Sequence, residues 1–579
     1  MNSLLLVIIT LTGYVIAYNT YGKFLGAKIF KLSSKHKCPS VKLRDDKDFV
    51  PTRKGVLFGH HFTSIAGLGP IVGPAIAVIW GWVPAVIWVF FGSIFMGAVH
   101  DFGALVLSLR GGGKSIGDLA SGIINKRVRT LFLLIIFFAT WIVIAIFALI
   151  IAILFTMYPQ SVIPVWFEIP IAVAIGYLIY KKGFSAAKLG IAAVAIMYLT
   201  VLIGAYVPVT LPKIFNINPL LLWMIILFIY TYVASTLPVQ ALLQPRDYIN
   251  SHQLLIAIGL LILGTIIAHP PIVAPAINTA VSDAPPMLPF IFVVIACGAL
   301  SGFHSLVSSG TTSKQCRKEG DALFIGYGSM LIEATLAILV IIAIAAGLGM
   351  GFTTKGGAIL KGTAAFTTHY ASWTAASGLA SKLNAFVGGA SNLIVSLGIP
   401  VNIAITILGV FLVSFAATTL DSAARIQRYV VCELADAYKL NFLKRKHPAT
   451  AVAVGSAMLL AFSNGSGKGA MLLWPLFGSV NQLLGGLTLL VITIYLAKKK
   501  VSVLVAAIPM VFMITLTGWA MLFNLGQFYN QNNWLLLGIG IAIFTLEVWM
   551  VIESIIVLKR TYSSKGLPQI SSDLIPIVE

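Results

Sequence analysis

Apolar residues run through this chain in long stretches, separated by short polar segments that hold nearly all of the charge. A hydrocarbon core about 30 Å thick is crossed by about 20 mainly apolar residues in a helix. Fifteen stretches approach or meet that length: 4–22, 64–80, 83–108, 131–156, 165–180, 188–209, 219–237, 254–270, 286–308, 322–349, 401–424, 450–463, 469–496, 501–523 and 534–558. They are too long and too evenly apolar for an outer-membrane barrel, whose strands alternate over about ten residues. The first lacks a basic start and an A-x-A site, so it reads as a span and not as a cleaved signal. The pattern predicts an all-α polytopic membrane protein with about 15 transmembrane helices.

Composition agrees. The 579 residues are 59% hydrophobic and 10% charged, with a mean hydropathy of +0.97. A soluble domain carries about a quarter charged residues, so a water-soluble globular fold is excluded, and disorder with it. Lysine and arginine number 39 against 18 acids, a net charge of +21. Clustered on one face, that excess would point to nucleic acid. Here 34 of the 39 lie in alternating loops, chiefly 23–58, 109–130 and 425–449. The other five are Lys213, Lys355, Lys361, Lys382 and Lys468. The positive-inside rule then places the N-terminus outside and the C-terminus in the cytoplasm. The charge is an orientation signal in the cytoplasmic membrane, and no nucleic-acid partner is expected. Cys38, Cys297, Cys316 and Cys432 show neither CxxC nor zinc spacing, so no metal site or disulfide framework is indicated.

Two spans look interrupted. Residues 59–74 hold four glycines and two prolines. Proline removes a backbone donor, glycine permits irregular backbone, and in lipid such backbone survives only where it lines protein or a cavity. The helix is expected to unwind near Gly67–Gly73. A second segment, 302–310, echoes it: a shift of 243 positions carries Gly59, His61 and Gly67 onto Gly302, His304 and Gly310. The two starts run in opposite directions through the membrane, and each heads five spans. That is the layout of an inverted-repeat transporter with its site at the midplane; the alternative is close helix packing through small residues. The predicted divisions are 1–58 (first helix and basic cytoplasmic loop), 59–211 (first five-helix repeat) and 212–285 (two inserted helices). They continue with 286–496 (second repeat, with an outer re-entrant loop at 350–400) and 497–579 (two C-terminal helices and tail).

Three motifs carry a family resemblance. They are His60-His61-Phe62 with Ile65-Ala66-Gly67, Gly69-Pro70, Gly97-Ala98-Val99 and Asp101-Phe102; Thr418-Thr419-Leu420-Asp421-Ser422 with Arg425; and Leu473-Trp474-Pro475-Leu476-Phe477-Gly478 with Asn481-Gln482-Leu483-Leu484. Together, over about residues 55–500, they resemble the carbon starvation protein A (CstA) family. The resemblance implies a place in the amino acid–polyamine–organocation superfamily, with a LeuT-like 5+5 inverted-repeat core and extra helices. It also implies import of peptides, or of a small carboxylate such as pyruvate, during carbon starvation. In sodium-coupled relatives a Thr/Ser pair on the eighth core helix meets carbonyls of the broken first helix around Na⁺. Thr418, Thr419 and the carbonyl of Ala66 match those positions, and hydroxyls with unwound carbonyls suit a hard cation. The alternative is that both hydroxyls bond back to their own helix.

A charge at the bilayer centre costs about 2.5 kcal/mol or more, so buried ionisable groups invite a functional reading. His61, His304, Asp101 and Glu333 are candidates to carry a coupling proton. Asp421 and Arg425 have the spacing of a helix-face ion pair, and Glu168 is expected near the outer surface, solvated. The substrate-binding candidates are His60, His61, Ser64, Gly67, Gly69, Gly73, Gly302, His304 and Ser308; the ion-coupling candidates are Thr418, Thr419, Ala66, Asp101 and Glu333. The expectation is a secondary active transporter coupled to H⁺ or Na⁺, not an enzyme, without a cofactor beyond a bound Na⁺. Two rivals are a membrane-embedded metal-dependent enzyme and a nutrient sensor that binds without transporting.

Overall fold

The computed structural model describes residues 2–33, 35–212, 218–354 and 356–563. Lys213, Lys355 and the tail 564–579, used above for orientation, lie outside the described residues. The chain is almost entirely helical. The long helices, in chain order, are α1 (Ser3–Ala17, carried on by wider turns to Ile29), α2 (Lys54–Ile65), α3 (Gly69–Ala77), α4 (Trp82–Arg110, with a wide turn at Ser93–Gly97) and α5 (Lys126–Met157). Then come α6 (Val162–Tyr180), α7 (Ala186–Tyr206), α8 (Pro219–Thr236), α9 (Leu243–Ala268), α10 (Met287–Val294), α11 (Gly302–Gly310) and α12 (Ser329–Ala345). The remainder are α13 (Leu379–Val395), α14 (Val401–Ala437), α15 (Lys446–Phe462), α16 (Trp474–Lys498), α17 (Leu504–Asn530) and α18 (Trp534–Ser563).

Local chemistry sets the boundaries. Asn125 caps α5 by accepting the Val128 N–H at 2.9 Å, no glycine or proline interrupts the helix, and Pro159 ends it. Twelve helices among the described residues are long and apolar enough to cross a membrane, and the bent pair α2–α3 makes a thirteenth. The two other expected spans fall short for physical reasons. Span 286–308 is broken between α10 and α11, and α15, with 17 residues, rises about 25 Å at about 1.5 Å per residue. The protein is a multi-span membrane protein.

Two of the loops read from sequence are partly helical. α9 begins at Leu243, ahead of the run 254–270, and α14 continues past 424 to Ala437. Pro245 sits in the first turn of α9, where its missing N–H interrupts no helical bond. Arg246 and Arg425 are therefore buried inside helices and not exposed in loops.

At the centre, α5 and α14 lie along one another, and the Thr140 hydroxyl bonds the Gln427 side chain between them. The first broken helix, α2–α3, packs against α9, α12 and α13. Segment 350–400 holds a short antiparallel pair, β1 (Phe352–Thr353) with β2 (Ile359–Leu360), followed by α13. Helix α13 lies against α3, α9, α12 and α14. Gly389 is what lets α13 approach α12, since a side chain there would meet the Ala343 carbonyl. Helices α1, α7, α17 and α18 turn apolar side chains outward, Ile8, Ile191, Leu522 and Ile552 among them, as a lipid-facing surface requires.

Candidate functional site

Helix α2 stops at Ile65 and α3 starts at Gly69, with the axis bent by 43°. The Ala66 N–H still reaches the Phe62 carbonyl (2.9 Å), while the Leu68 carbonyl accepts from Ile71 (3.1 Å) and Val72 (2.9 Å), opening a new helix. Pro70 lies in the first turn of α3, where it removes no helical bond. The second break is wider. Residues 295–301 are non-helical between α10 and α11, and Gly298 has a φ of 91°, a left-handed value that favours glycine.

The two breaks meet. A side chain at Gly69 would fall on Cys297, and one at Gly73 on the Val294 carbonyl. On its other side, Gly67 faces the Thr419 hydroxyl of α14. Gly302 presses against the backbone of α16, where a β-carbon would lie 2.6 Å from the Gly485 nitrogen. The Asn481 side chain on α16 accepts the Phe303 N–H (2.9 Å) and the Ser301 hydroxyl (3.3 Å), capping α11. A cavity of about 60 Å³ lies between the breaks, bordered by Gly67, Gly69, Cys297, Ser301, Thr419 and Asn481. Phe147, Phe303, Trp474 and Phe477 supply its apolar walls. Among the described residues, no charged side chain lines it.

The candidates from sequence divide into three groups. Gly67, Gly69 and Thr419 border the cavity; the Thr419 hydroxyl is buried without a hydrogen-bond partner, and Ala66 is the buried turn residue that ends α2. Gly73 and Gly302 make the close contacts that bring helices together. The polar candidates join buried networks beside the cavity and do not line it. Asp101 bonds His100 (2.7 Å) and His304 (3.0 Å), and Glu333 accepts the Gly298 N–H at 3.1 Å. His61 bonds Thr312 (2.9 Å), Ser64 bonds Ser422 (2.9 Å), and the Ser308 hydroxyl is buried without a partner. Thr418 accepts from the Asn250 amide at 3.2 Å. His60 pairs with Asp247, and its other ring nitrogen accepts from Gln315 at 3.1 Å.

Two expectations need correction. Glu168 is not solvated but fully buried on α6, 3.5 Å from Arg246 and 3.3 Å from the Ser414 hydroxyl; α6 continues through Pro170 and carries it inward. Asp421 and Arg425, one turn apart, turn to different partners. Asp421 bonds Arg246 and the Tyr230 hydroxyl (2.8 Å). Arg425 reaches Asp48 in the basic loop at 2.8 Å and the Leu237 carbonyl at 2.5 Å. Arg428 (3.2 Å) and Tyr429 (2.6 Å) complete the grip on Asp48. Burial pushes the Asp48 carboxyl up, but the Arg425 and Arg428 guanidiniums outweigh it and hold the group at about 2.

The sequence reading missed Cys297, Trp474, Phe477 and Asn481 at the cavity, and Arg246, Asp247 and Asn250 beside the first break. Trp474 to Asn481 stand in a motif that carried the family resemblance, but no spacing rule gives an aromatic or an asparagine a site role. The charges at 246–247 were hidden by reading Pro245 as loop.

The chain is similar to known proteins. The family model of carbon starvation protein CstA matches residues 2–520. A peptide transporter CstA of Helicobacter pylori (strain ATCC 700392 / 26695) is 33% identical, with 89% of this chain and 81% of the relative covered. A pyruvate/proton symporter BtsT of Escherichia coli (strain K12) is 30% identical, with 90% and 81% covered. Among solved structures, a manganese transporter of Eremococcus coleocola, in complex with an aromatic bis-isothiourea substituted compound, aligns at 12% identity. That alignment covers 90% of this chain and 99% of that one, at a TM-score of 0.45.

Proposed function

This chain belongs to the carbon starvation protein CstA family, and from that membership we propose that it imports a small carboxylate such as pyruvate, or a peptide, across the cytoplasmic membrane by secondary active transport. It is a transporter and not an enzyme. The proposal includes coupling to H⁺ or Na⁺, a role in carbon starvation, and the orientation with the N-terminus outside and the C-terminus in the cytoplasm.

One observation carries the reading: two interrupted helices meet around a cavity deep within the bundle. Discontinuous helices of this kind hold substrate and coupling ion in many secondary transporters. We take 59–211 and 286–496 as the two inverted five-helix units, 212–285 as the insert, and 1–58 and 497–579 as additions. The packing of α5 along α14, third in each unit, supports this division. At about 10–15 Å³ per water-sized group, a cavity of about 60 Å³ is on the scale of a small carboxylate; a peptide would require it to open.

For the coupling ion, the hydroxyls of Thr418 and Thr419, the free Asn250 carbonyl oxygen and the Asp247 carboxylate gather near the first break. An oxygen-rich group of this kind suits Na⁺, and the buried His60–Asp247 pair offers the route for H⁺. Purified protein in liposomes is expected to accumulate labelled pyruvate or a dipeptide under an imposed pH or Na⁺ gradient. Equal uptake with and without gradients would make it a facilitator, and binding without flux a sensor.

A further inference from the structure

We propose that Cys297, His304 and Glu333 form a site for a divalent transition metal of the Zn²⁺ type, with one coordination position open to the cavity between the broken helices, where it meets the carboxylate of the solute. The metal site stands on geometry alone; the carboxylate contact rests on the transport reading.

The donor atoms of the three residues lie within 4.8 Å of one another. His304 Nε2 and Glu333 Oε2 are 3.5 Å apart, longer than the usual hydrogen bond of about 2.7–3.2 Å. Zinc binds nitrogen at about 2.0–2.1 Å and carboxylate oxygen at about 2.0–2.2 Å in tetrahedral geometry. The corresponding edge is about 3.4 Å, so the observed separation accommodates an ion between the two atoms. Both side chains are fully buried, and both of these atoms lack a hydrogen-bond partner. They face one another as a buried ion pair with no hydrogen bond between them, an arrangement that a shared cation would satisfy.

The surrounding bonds hold these atoms in place. The other nitrogen of His304, Nδ1, faces Asp101 Oδ2 at 3.0 Å, and Asp101 Oδ1 is held by His100 at 2.7 Å. Metal-binding histidines engage their second nitrogen with a carboxylate in this way, which fixes the ring and the tautomer. The other oxygen of Glu333, Oε1, accepts the Gly298 N–H at 3.1 Å. Each ligand therefore turns one atom toward the common point and has its remaining atom anchored.

The donor types narrow the ion. Mg²⁺, Ca²⁺ and Na⁺ favour oxygen alone, whereas thiolate, imidazole and carboxylate together suit Zn²⁺, Co²⁺ or Fe²⁺. Three protein ligands leave a tetrahedral ion one open position. Cys297 lies on the unwound 295–301 segment and lines the cavity, and Gly69 makes room for it. The described residues give the cavity no charged lining, so the open Lewis-acid position of a bound metal, neutral overall with its thiolate and carboxylate ligands, would be the group there able to take a carboxylate oxygen. Sequence spacing pointed away from a metal because the three donors stand on three different segments, Cys297 in the break, His304 on α11 and Glu333 on α12.

The test uses the full-length protein in detergent, loaded with Co²⁺ alone. The expected result is one Co²⁺ per chain with a thiolate-to-cobalt charge-transfer band. Cys297→Ser should abolish the band while the gel-filtration profile stays unchanged. Asp101→Asn should weaken Co²⁺ affinity by about 10–100-fold. Adding pyruvate should shift the visible cobalt spectrum. No Co²⁺ above background, or a band that survives in Cys297→Ser, would overturn the metal site. A spectrum indifferent to pyruvate and to dipeptides would overturn the carboxylate contact. These readouts need no flux, so a protein that binds Co²⁺ but fails in liposomes refutes the transport reading alone; one that transports without binding Co²⁺ refutes the site alone.

Discussion

The Thr419 hydroxyl points at Gly67, and the absence of a side chain at Gly67 is what admits it. A methyl there would lie too close to the hydroxyl oxygen for both to keep their places. Gly67→Ala should therefore close this corner of the cavity, at an overpacking cost of about 1–3 kcal/mol, and abolish uptake while the protein still reaches the membrane. Uptake by liposomes at wild-type protein loading checks it; unchanged uptake would remove Gly67 from the site.

The same contact bears on coupling. If Na⁺ drives transport, Thr418→Ala combined with Thr419→Ala should abolish the Na⁺-dependent part of uptake. A double variant that still responds to a Na⁺ gradient would place the Na⁺ site elsewhere; wild-type uptake that ignores Na⁺ and collapses without a pH gradient would shift coupling to the proton, with the His60–Asp247 pair as the next element to test.

His60 and Asp247 are both buried and satisfy one another between α2 and α9. Removing one partner from a buried pair costs about 3–5 kcal/mol, because it strands the other. His60→Ala and Asp247→Ala should each lower thermal stability strongly, and the double variant should lose less than the two singles combined. Thermal unfolding in detergent, followed for all three, decides it; additive losses would mean that the pair is not coupled.

Asp48 ties the basic loop to α14 through Arg425 and Arg428. Its carboxyl is held at about 2, below the ordinary 3.8, so the folded state favours the ionised form. The stabilisation is complete above about pH 4 and is lost as pH falls through about 2. Asp48→Asn should remove it at every pH, so trypsin at neutral pH should cleave after Arg44, Lys47 or Arg53 faster in the variant. In the wild type, cleavage of this loop by an acid protease should accelerate as the pH falls from about 4 toward 2.

Trp474 forms part of the apolar wall of the cavity. Trp474→Ala should enlarge it and raise dipeptide uptake relative to pyruvate. A ratio that does not move would place selectivity elsewhere.

Much of the fold could be read directly from the chain because each span announces itself through local apolar content. The first break was equally legible, since Gly67, Gly69, Pro70 and Gly73 mark it within a single turn or two. What stayed hidden depends on contacts between distant segments. Arg425 lies one turn from Asp421 in sequence yet bonds Asp48, because α14 turns the two side chains toward different neighbours. Glu168 looked like a surface acid until its helix was seen to pass Pro170 and face Arg246. Cys297 gains its meaning only when α12 brings Glu333 to it. Periodicity records which residues share a helix face and is silent about which faces meet.

The cap that Asn481 places on α11, with Gly302 flush against α16 and a 3.0 Å bond from Thr488 to Ser305, fastens these two helices to one another. No comparable helical structure stiffens 295–301, which leaves that stretch as the natural pivot. An opening movement would then swing α11 and α16 as a single lever, and α10 would stay behind only by giving up the bond from the Gln482 amide to the Phe292 carbonyl. Spin labels on α11 and α16 would hold one distance through the cycle, and labels on α10 and α11 would not.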